Sequence, residues 1–249
     1  MQIHYTLSEV EKVLQRKSWW AMLFILPIAR RLSLFFINRT GISPNAITLG
    51  SFIFVVGAAI AFSSGSPAGL IIGAVLFEIN YLFDCVDGTV ARVKQLGTPL
   101  GAYLDPVLDR WRIVILSLSL AWGQYAVTGS TTTVWLLFCY LGMNNLILFT
   151  RSAQEKALDK LGTESRMGVD LARSSTRSTF LRWWFSKTVD RNVMPYYHDI
   201  ELDALVFVVG PILNQVTVCL VAANVLALIL IVVLNAMFLT SLKDWKGAS

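Results

Sequence analysis

Charge is scarce in this chain of 249 residues: only 15% are Asp, Glu, Lys or Arg, where a soluble domain carries about 25%. That shortage, beside 55% hydrophobic residues and a mean hydropathy of +0.60, excludes disorder, a coiled coil and an ordinary soluble enzyme. Cysteine is rarer still. Cys85, Cys139 and Cys219 are an odd number, lie in apolar runs and lack C-x-x-C spacing, which excludes a disulfide framework and a zinc site. A signal peptide is also missing, because the first eighteen residues mix Glu9, Glu11, Lys12, Arg16 and Lys17 with apolar positions. Those residues read instead as an amphipathic helix. The net charge of +5 and pI near 9.2 fit basic loops on anionic headgroups better than nucleic acid, and no nucleic-acid partner is expected.

What the chain does have is long apolar runs. Crossing about 30 Å of hydrocarbon takes roughly 20 helical residues, and suitable stretches occur at Ile47–Phe62, Leu70–Val90, Leu100–Ala126, Thr133–Thr150 and Leu205–Leu239. The last is too long for one crossing. Gly210, Pro211 and Asn214, then Ala222, Ala223 and Asn224, offer breaking points for two tightly connected helices, which makes six spans. All 21 basic residues fall on one side of these spans or at its edge, and the connections Ser63–Ala68 and Val127–Thr132 hold none. Cytoplasmic loops are the Lys- and Arg-rich ones, so both termini are expected to be cytoplasmic. Trp19–Ile28, broken by Pro27 and followed by Arg30 and Arg31, suits a helix lying in the headgroup plane. The expected fold is thus an all-α integral membrane protein: an interfacial and juxtamembrane segment at 1–42, a six-helix catalytic domain at 43–242 and a tail at 243–249.

Five carboxylates stand within those spans: Glu78, Asp84 and Asp87 on the second, Asp105 and Asp109 on the third. Each costs a few kcal/mol at the centre of a bilayer, so an intramembrane acid is a functional hypothesis by default. Asp84 and Asp87 are spaced i, i+3, and Asp105 and Asp109 i, i+4, so each pair shares a helix face. Only Val93–Thr98 separates the two helices, which makes them antiparallel neighbours. Four clustered anions repel unless protonated, paired with Arg92 or Arg110, or bridged by cations. A divalent ion is the economical answer, and an all-oxygen set favours Mg²⁺ or Mn²⁺, since His4 and His198 lie far along the chain. Four carboxylates can hold two ions, which would clamp a diphosphate for in-line displacement. Gly88 and Gly101 clear side chains from the approach, and Arg92 adds a fixed cation. The fourteen residues from Leu70 to Asp84 span about 21 Å of helix, which puts the site toward the cytoplasmic face.

As a string, Asp84-x2-Asp87-Gly88-x2-Ala91-Arg92-x8-Gly101-x3-Asp105-x3-Asp109 resembles the complete signature of the CDP-alcohol phosphotransferase family. Ser43-Pro44-Asn45-Ala46-Ile47-Thr48 is similar to a Pro-Asn-x-x-Thr segment common in that family. The resemblance implies a membrane enzyme of phospholipid biosynthesis, usually a homodimer, that releases CMP from a CDP-linked alcohol and joins the remaining phosphate to a second alcohol. It implies Asp84, Asp87 and Asp105 as metal ligands, with Asp109 completing that site and acting as general base on the acceptor hydroxyl. Gly88, Ala91, Arg92 and Gly101 would shape the CDP pocket, with Asn45 and Thr98 as further nucleotide contacts. The donor expected is CDP-diacylglycerol in a cell membrane, with the site facing the cytoplasm; a CDP-linked head group or polyol is the alternative.

Three features stand outside that pattern. The connection Arg151–Glu201 is long, basic and rich in Ser and Thr, either a solvated loop on an anionic membrane or an acceptor-recognition lid. Glu78 either lines an acceptor or lipid pocket or pairs internally. A cation-coupled transporter would use the same acids, but such proteins show repeated halves with broken helices, and no repeat relates the first three spans to the last three. A membrane phosphatase would release free phosphate in place of CMP.

Overall fold

The computed structural model describes residues 4–13, 18–159 and 197–246, which are helices and short connections with no strand among them. The elements are α1 (Leu7–Lys12), α2 (Ala21–Arg39), α3 (Pro44–Ser63), α4 (Pro67–Val93), α5 (Pro99–Thr128), α6 (Thr132–Asp159), α7 (199–212) and α8 (Val216–Lys246). Three of these begin with the same device. Ser43, Ser66 and Thr98 are extended N-caps whose hydroxyls accept from the backbone N–H of Ala46, Gly69 and Gly101, and Pro44, Pro67 and Pro99 follow them. The proline lacks an N–H at a position where no intrahelical partner exists, so the start of each helix is sharply defined.

Among the described residues five helices are long and apolar enough to cross a membrane: Ala21–Arg39, Pro44–Ser63, Pro67–Val93, Thr132–Asp159 and Val216–Leu239. The chain is an integral membrane protein. Pro99–Thr128 matches them in length, with 30 residues, but carries Asp105, Asp109, Arg110 and Arg112 in its first half.

Two prolines behave differently from expectation. Pro27 does not break the first apolar stretch, and Gly210 and Pro211 do not divide the last one. In both places a π turn comes first, at Ala21–Ile25 and at Leu205–Val209, and the proline sits two residues beyond it. A proline ring normally strikes the carbonyl four residues back; the wider turn displaces that carbonyl, so the helix continues. The break in the last stretch falls at another of the expected points, Leu213–Gln215, where Asn214 adopts φ +53°. Helix α2 consequently runs unbroken to Arg39, long enough to span, where a short interfacial segment was expected. Among residues 1–18 the described helix is only α1, held to α2 by the Arg30–Glu11 ion pair at 2.7 Å and by Tyr5–Asn38 hydrogen bonds. Helix α6 extends to Asp159 and α8 through Lys246, taking in the start of the expected loop and of the expected tail. The remainder of that loop, 160–196, and with it the acceptor-lid reading, lies outside the described residues.

Helix α4 is central and packs against α3, α2 and α7, while α6 and α8 pair at the far side. Two apolar clusters form the interior. One gathers Val55, Phe62, Leu70, Phe77, Leu116, Tyr140 and Phe207. The other gathers Val10, Ile25, Ile37, Ile47, Tyr81 and Val86. Between them along α3 and α4 lie buried polar residues, Ser51 between Ile47 and Val55, and Asn80 between Phe77 and Tyr81. Closely packed apolar clusters on both sides hold the helix registers on which that polar layer depends.

Candidate active site

The α4–α5 connection brings the two carboxylate pairs together. Asp84, Asp87 and Asp105 each offer an oxygen, and these oxygens lie within 4.8 Å of one another. Asp87 is buried, Asp84 half-buried and Asp105 exposed, so the group opens at one side. Hard oxygen donors this close, in a membrane span, fit a divalent cation, whose charge would offset their mutual repulsion. The hydroxyl of Thr48 on α3 reaches Asp87 Oδ2 and lies 3.1 Å from the Pro44 carbonyl. The fixed Pro-Asn-x-x-Thr segment thus supports a carboxylate on the next helix.

Asp109 stands outside that three-carboxylate group. Its Oδ1 lies 2.9 Å from Arg112 Nη2, an i, i+3 ion pair in which the arginine side chain is only 9% exposed. The arginine paired with Asp109 is thus Arg112, whereas Arg92 and Arg110 were the two weighed as partners from sequence. Arg110 points away, to Asn144 on α6, which together with Tyr140 holds the buried Asp203 of α7. Arg112 donates through Nη1 to Asn80 Oδ1 at 3.0 Å, and its guanidinium carbon sits 5.7 Å from the Phe77 ring centre and 6.0 Å from that of Tyr81. A pocket lined by Thr48, Ser51, Asn80, Asp84, Asp109 and Arg112, among others, lies at this point.

The residues expected around a nucleotide form a second group at the helix starts. Asn45 Nδ2 donates to Thr98 Oγ1 at 3.4 Å, and Thr98 Oγ1 accepts from Gly101 N at 3.0 Å. A Cβ on Gly101 would lie 2.7 Å from Asn45 Oδ1, so the close approach requires glycine. Gly88 is covered by Arg92, whose terminal nitrogens would be 3.3 Å from an added Cβ. Ala91 lies one turn beyond Asp87, and its carbonyl accepts from Leu96 N at 2.9 Å as α4 ends. Glu78 is apart from all of these: Trp20 Nε1 donates to its Oε1 at 2.8 Å, and its Oε2 is buried without a partner. Near the end of α6, Arg151 Nη1 bridges Asp199 at 3.2 Å and His198 at 3.0 Å, and its Nη2 is buried without a partner.

Ser51, Asn80 and Arg112 were not singled out as site residues from sequence. For Arg112 a signal existed, the same i, i+3 spacing that pairs Asp84 with Asp87. For Ser51 and Asn80 none did, because their contact depends on the register between α3 and α4.

Comparison with known proteins gives the family and the fold. The match to the archaetidylinositol phosphate synthase of Methanothermobacter thermautotrophicus is 31% identical over 143 residues, covering 57% of this chain and 67% of that protein. The phosphatidylinositol phosphate synthase of Corynebacterium glutamicum is 37% identical over 91 residues, 36% of this chain and only 38% of that protein. The crystal structure of the Mycobacterium tuberculosis phosphatidylinositol phosphate synthase in complex with manganese and citrate superposes with a TM-score of 0.59 at 22% identity, covering 87% of this chain and 90% of that one. It shares the fold. A model of the CDP-alcohol phosphatidyltransferase family matches residues 41–189, a span that contains all four aspartates, and the chain belongs to that family of membrane transferases.

Proposed function

We propose that this enzyme transfers a phosphatidyl group from CDP-diacylglycerol to the hydroxyl of a phosphorylated polyol of the inositol phosphate class, releasing CMP. The observation that carries the reaction is the three-carboxylate group of Asp84, Asp87 and Asp105 with Asp109 beside it. The acceptor class is supported by the two relatives named for inositol phosphate products.

Asp84, Asp87 and Asp105 would hold Mg²⁺ or Mn²⁺, with Asp109 completing a second position. A bound ion supplies neutralisation of the diphosphate charge as the bond to CMP lengthens. The protein supplies position. Asn45, Thr98 and Gly101 receive the nucleotide at the start of α5, while Gly88, Ala91 and Arg92 line its diphosphate. Asp109 takes the proton of the acceptor hydroxyl, whose oxygen attacks the phosphorus bearing the diacylglycerol. One P–O bond forms, the P–O bond to CMP breaks, and the proton rests on Asp109. A carboxylate base contributes typically 10²–10⁴-fold by this route. The site faces the cytoplasm in this reading, where both substrates are soluble or headgroup-borne, and the working unit is a homodimer in the membrane.

The test offers purified protein CDP-diacylglycerol in one reaction and CDP-choline with diacylglycerol in another, each with Mn²⁺ and a panel of acceptors. CMP and a phosphodiester from CDP-diacylglycerol plus inositol phosphate support the reading. CMP only from the head-group donor would replace it, and CMP with phosphatidic acid but no phosphodiester would make the enzyme a hydrolase.

A further inference from the structure

Asp109 alone explains neither why an arginine is buried beside it nor why that arginine is held at both terminal nitrogens while its Nε is buried without a partner. Removing a guanidinium from water costs several kcal/mol even when it is paired. Arg112 nonetheless lies with its side chain 9% exposed and four separate contacts: Asp109, Asn80 and the rings of Phe77 and Tyr81. A mere counter-charge would need only the first. Asn80 is itself fixed, since its Nδ2 donates to the Ser51 carbonyl at 3.1 Å and to Ser51 Oγ at 3.2 Å. That leaves only Oδ1 to accept from the arginine, so the amide orientation is determined. Ser51 Oγ donates to the Thr48 carbonyl at 2.8 Å, and the Thr48 hydroxyl reaches Asp87. One polar line therefore runs from Asp87 on α4, through Thr48 and Ser51 on α3, back to Asn80 on α4 and on to Arg112 and Asp109 on α5.

We propose that Arg112 is a positioning residue for Asp109: clamped by Asn80, Phe77 and Tyr81, it engages Oδ1 and so sets the direction in which Oδ2 faces the acceptor hydroxyl and the second ion position. Asp109 Oδ2 carries no hydrogen bond among the described residues. With Nη1 held by Asn80 and Nη2 against Asp109, the planar guanidinium fixes where Oδ1 sits, which the point charge of lysine does not. The line through Ser51 and Thr48 sets that carboxylate in register with Asp87. Register matters because phosphoryl transfer depends on placement more than on covalent participation, and a 1 Å displacement can cost about 10²-fold. This role rests on the proposed reaction, with Asp109 as its base.

The experiment measures CMP release from CDP-diacylglycerol with Mn²⁺ and acceptor for wild type, Arg112→Gln, Arg112→Lys, Asn80→Ala, Asp109→Asn and the Asp109→Asn/Arg112→Gln double variant. Thermal midpoints and CDP-diacylglycerol binding are followed in parallel. Arg112→Gln should lower kcat by about 10²-fold with KM for the donor within about twofold, and Arg112→Lys should recover part of the loss. Asn80→Ala keeps the ion pair but loses the clamp, so its kcat should fall by about tenfold; it carries the test if Arg112→Gln does not fold. In the Asp109→Asn background, Arg112→Gln should change the residual rate by no more than about twofold, because its effect passes through the missing carboxylate. A folded Arg112→Gln or Asn80→Ala at wild-type kcat, a loss confined to KM, or losses that multiply in the double variant would overturn the role. A wild-type protein releasing no CMP would overturn the reaction itself and the role with it.

Discussion

Replacing Gly101 with Ala separates the shape of the nucleotide pocket from the stability of the helix that carries it. The added Cβ would stand 2.7 Å from Asn45 Oδ1 and 3.2 Å from Thr98 Oγ1. To reach ordinary contact near 3.4 Å, the Asn45 amide must retreat by about 0.7 Å, and its 3.4 Å hydrogen bond to Thr98 does not survive that movement. Asn45 is the end of a flexible side chain, so folding is not strained. Alanine is also the better helix former, by roughly 0.5–1 kcal/mol within a helix, and the thermal midpoint should stay level or rise by about 2 °C. The binding effect has the opposite sign. Losing one correctly placed hydrogen-bonding group is worth about 0.5–1.5 kcal/mol, which is a rise of roughly 2- to 12-fold in KM for the CDP-linked donor. The assay is CMP release against donor concentration, with differential scanning fluorimetry on the same samples. An unchanged KM would refute a nucleotide-facing Asn45–Thr98–Gly101 group, and a midpoint lowered by more than about 5 °C would show that the approach is rigid packing.

Other perturbations divide the site from its supports. Asp109→Asn keeps shape but removes the base, so kcat should fall by about 10²–10⁴-fold while CDP-diacylglycerol still binds; retained turnover would exclude the role. Trp20→Phe removes, among the described residues, the one donor to Glu78, whose other oxygen is already buried and unpartnered. It should therefore destabilise the protein by about 1–3 kcal/mol with little change in kcat, and a thermal midpoint equal to wild type would count against that contact. Tyr140→Phe withdraws a buried hydroxyl from Asp203, and a loss of about 1–3 kcal/mol in stability is expected with CMP release intact; a selective loss of acceptor binding would instead draw that network into the site.

The helices and the four aspartates were legible because both rest on short-range regularities, apolar length in one case and i, i+3 or i, i+4 spacing in the other. Ser or Thr before proline opens α3, α4 and α5, a local signal that places their starts just ahead of the apolar runs. Where the sequence misled, a local rule met a local exception: Pro27 and Pro211 follow π turns that remove the expected clash. Arg110 and Arg112 looked equivalent as basic residues near the end of a span. Three residues of helix bring Arg112 back under Asp109, whereas one residue turns Arg110 by about 100° toward α6. The partnership of Ser51 with Asn80 was out of reach, since it is created by how α3 and α4 slide against each other and no spacing within either helix encodes it.

The central claim is that the carboxylate group formed by Asp84, Asp87 and Asp105 binds a divalent ion that the reaction requires. Titrating Mn²⁺ into EDTA-stripped protein, with free Mn²⁺ followed by electron paramagnetic resonance and CMP release measured on the same samples, tests it directly. The account predicts that binding and CMP release rise together, and that Asp87→Asn weakens both. Full CMP release in EDTA, or an Asp87→Asn variant that binds Mn²⁺ as wild type does, would contradict it.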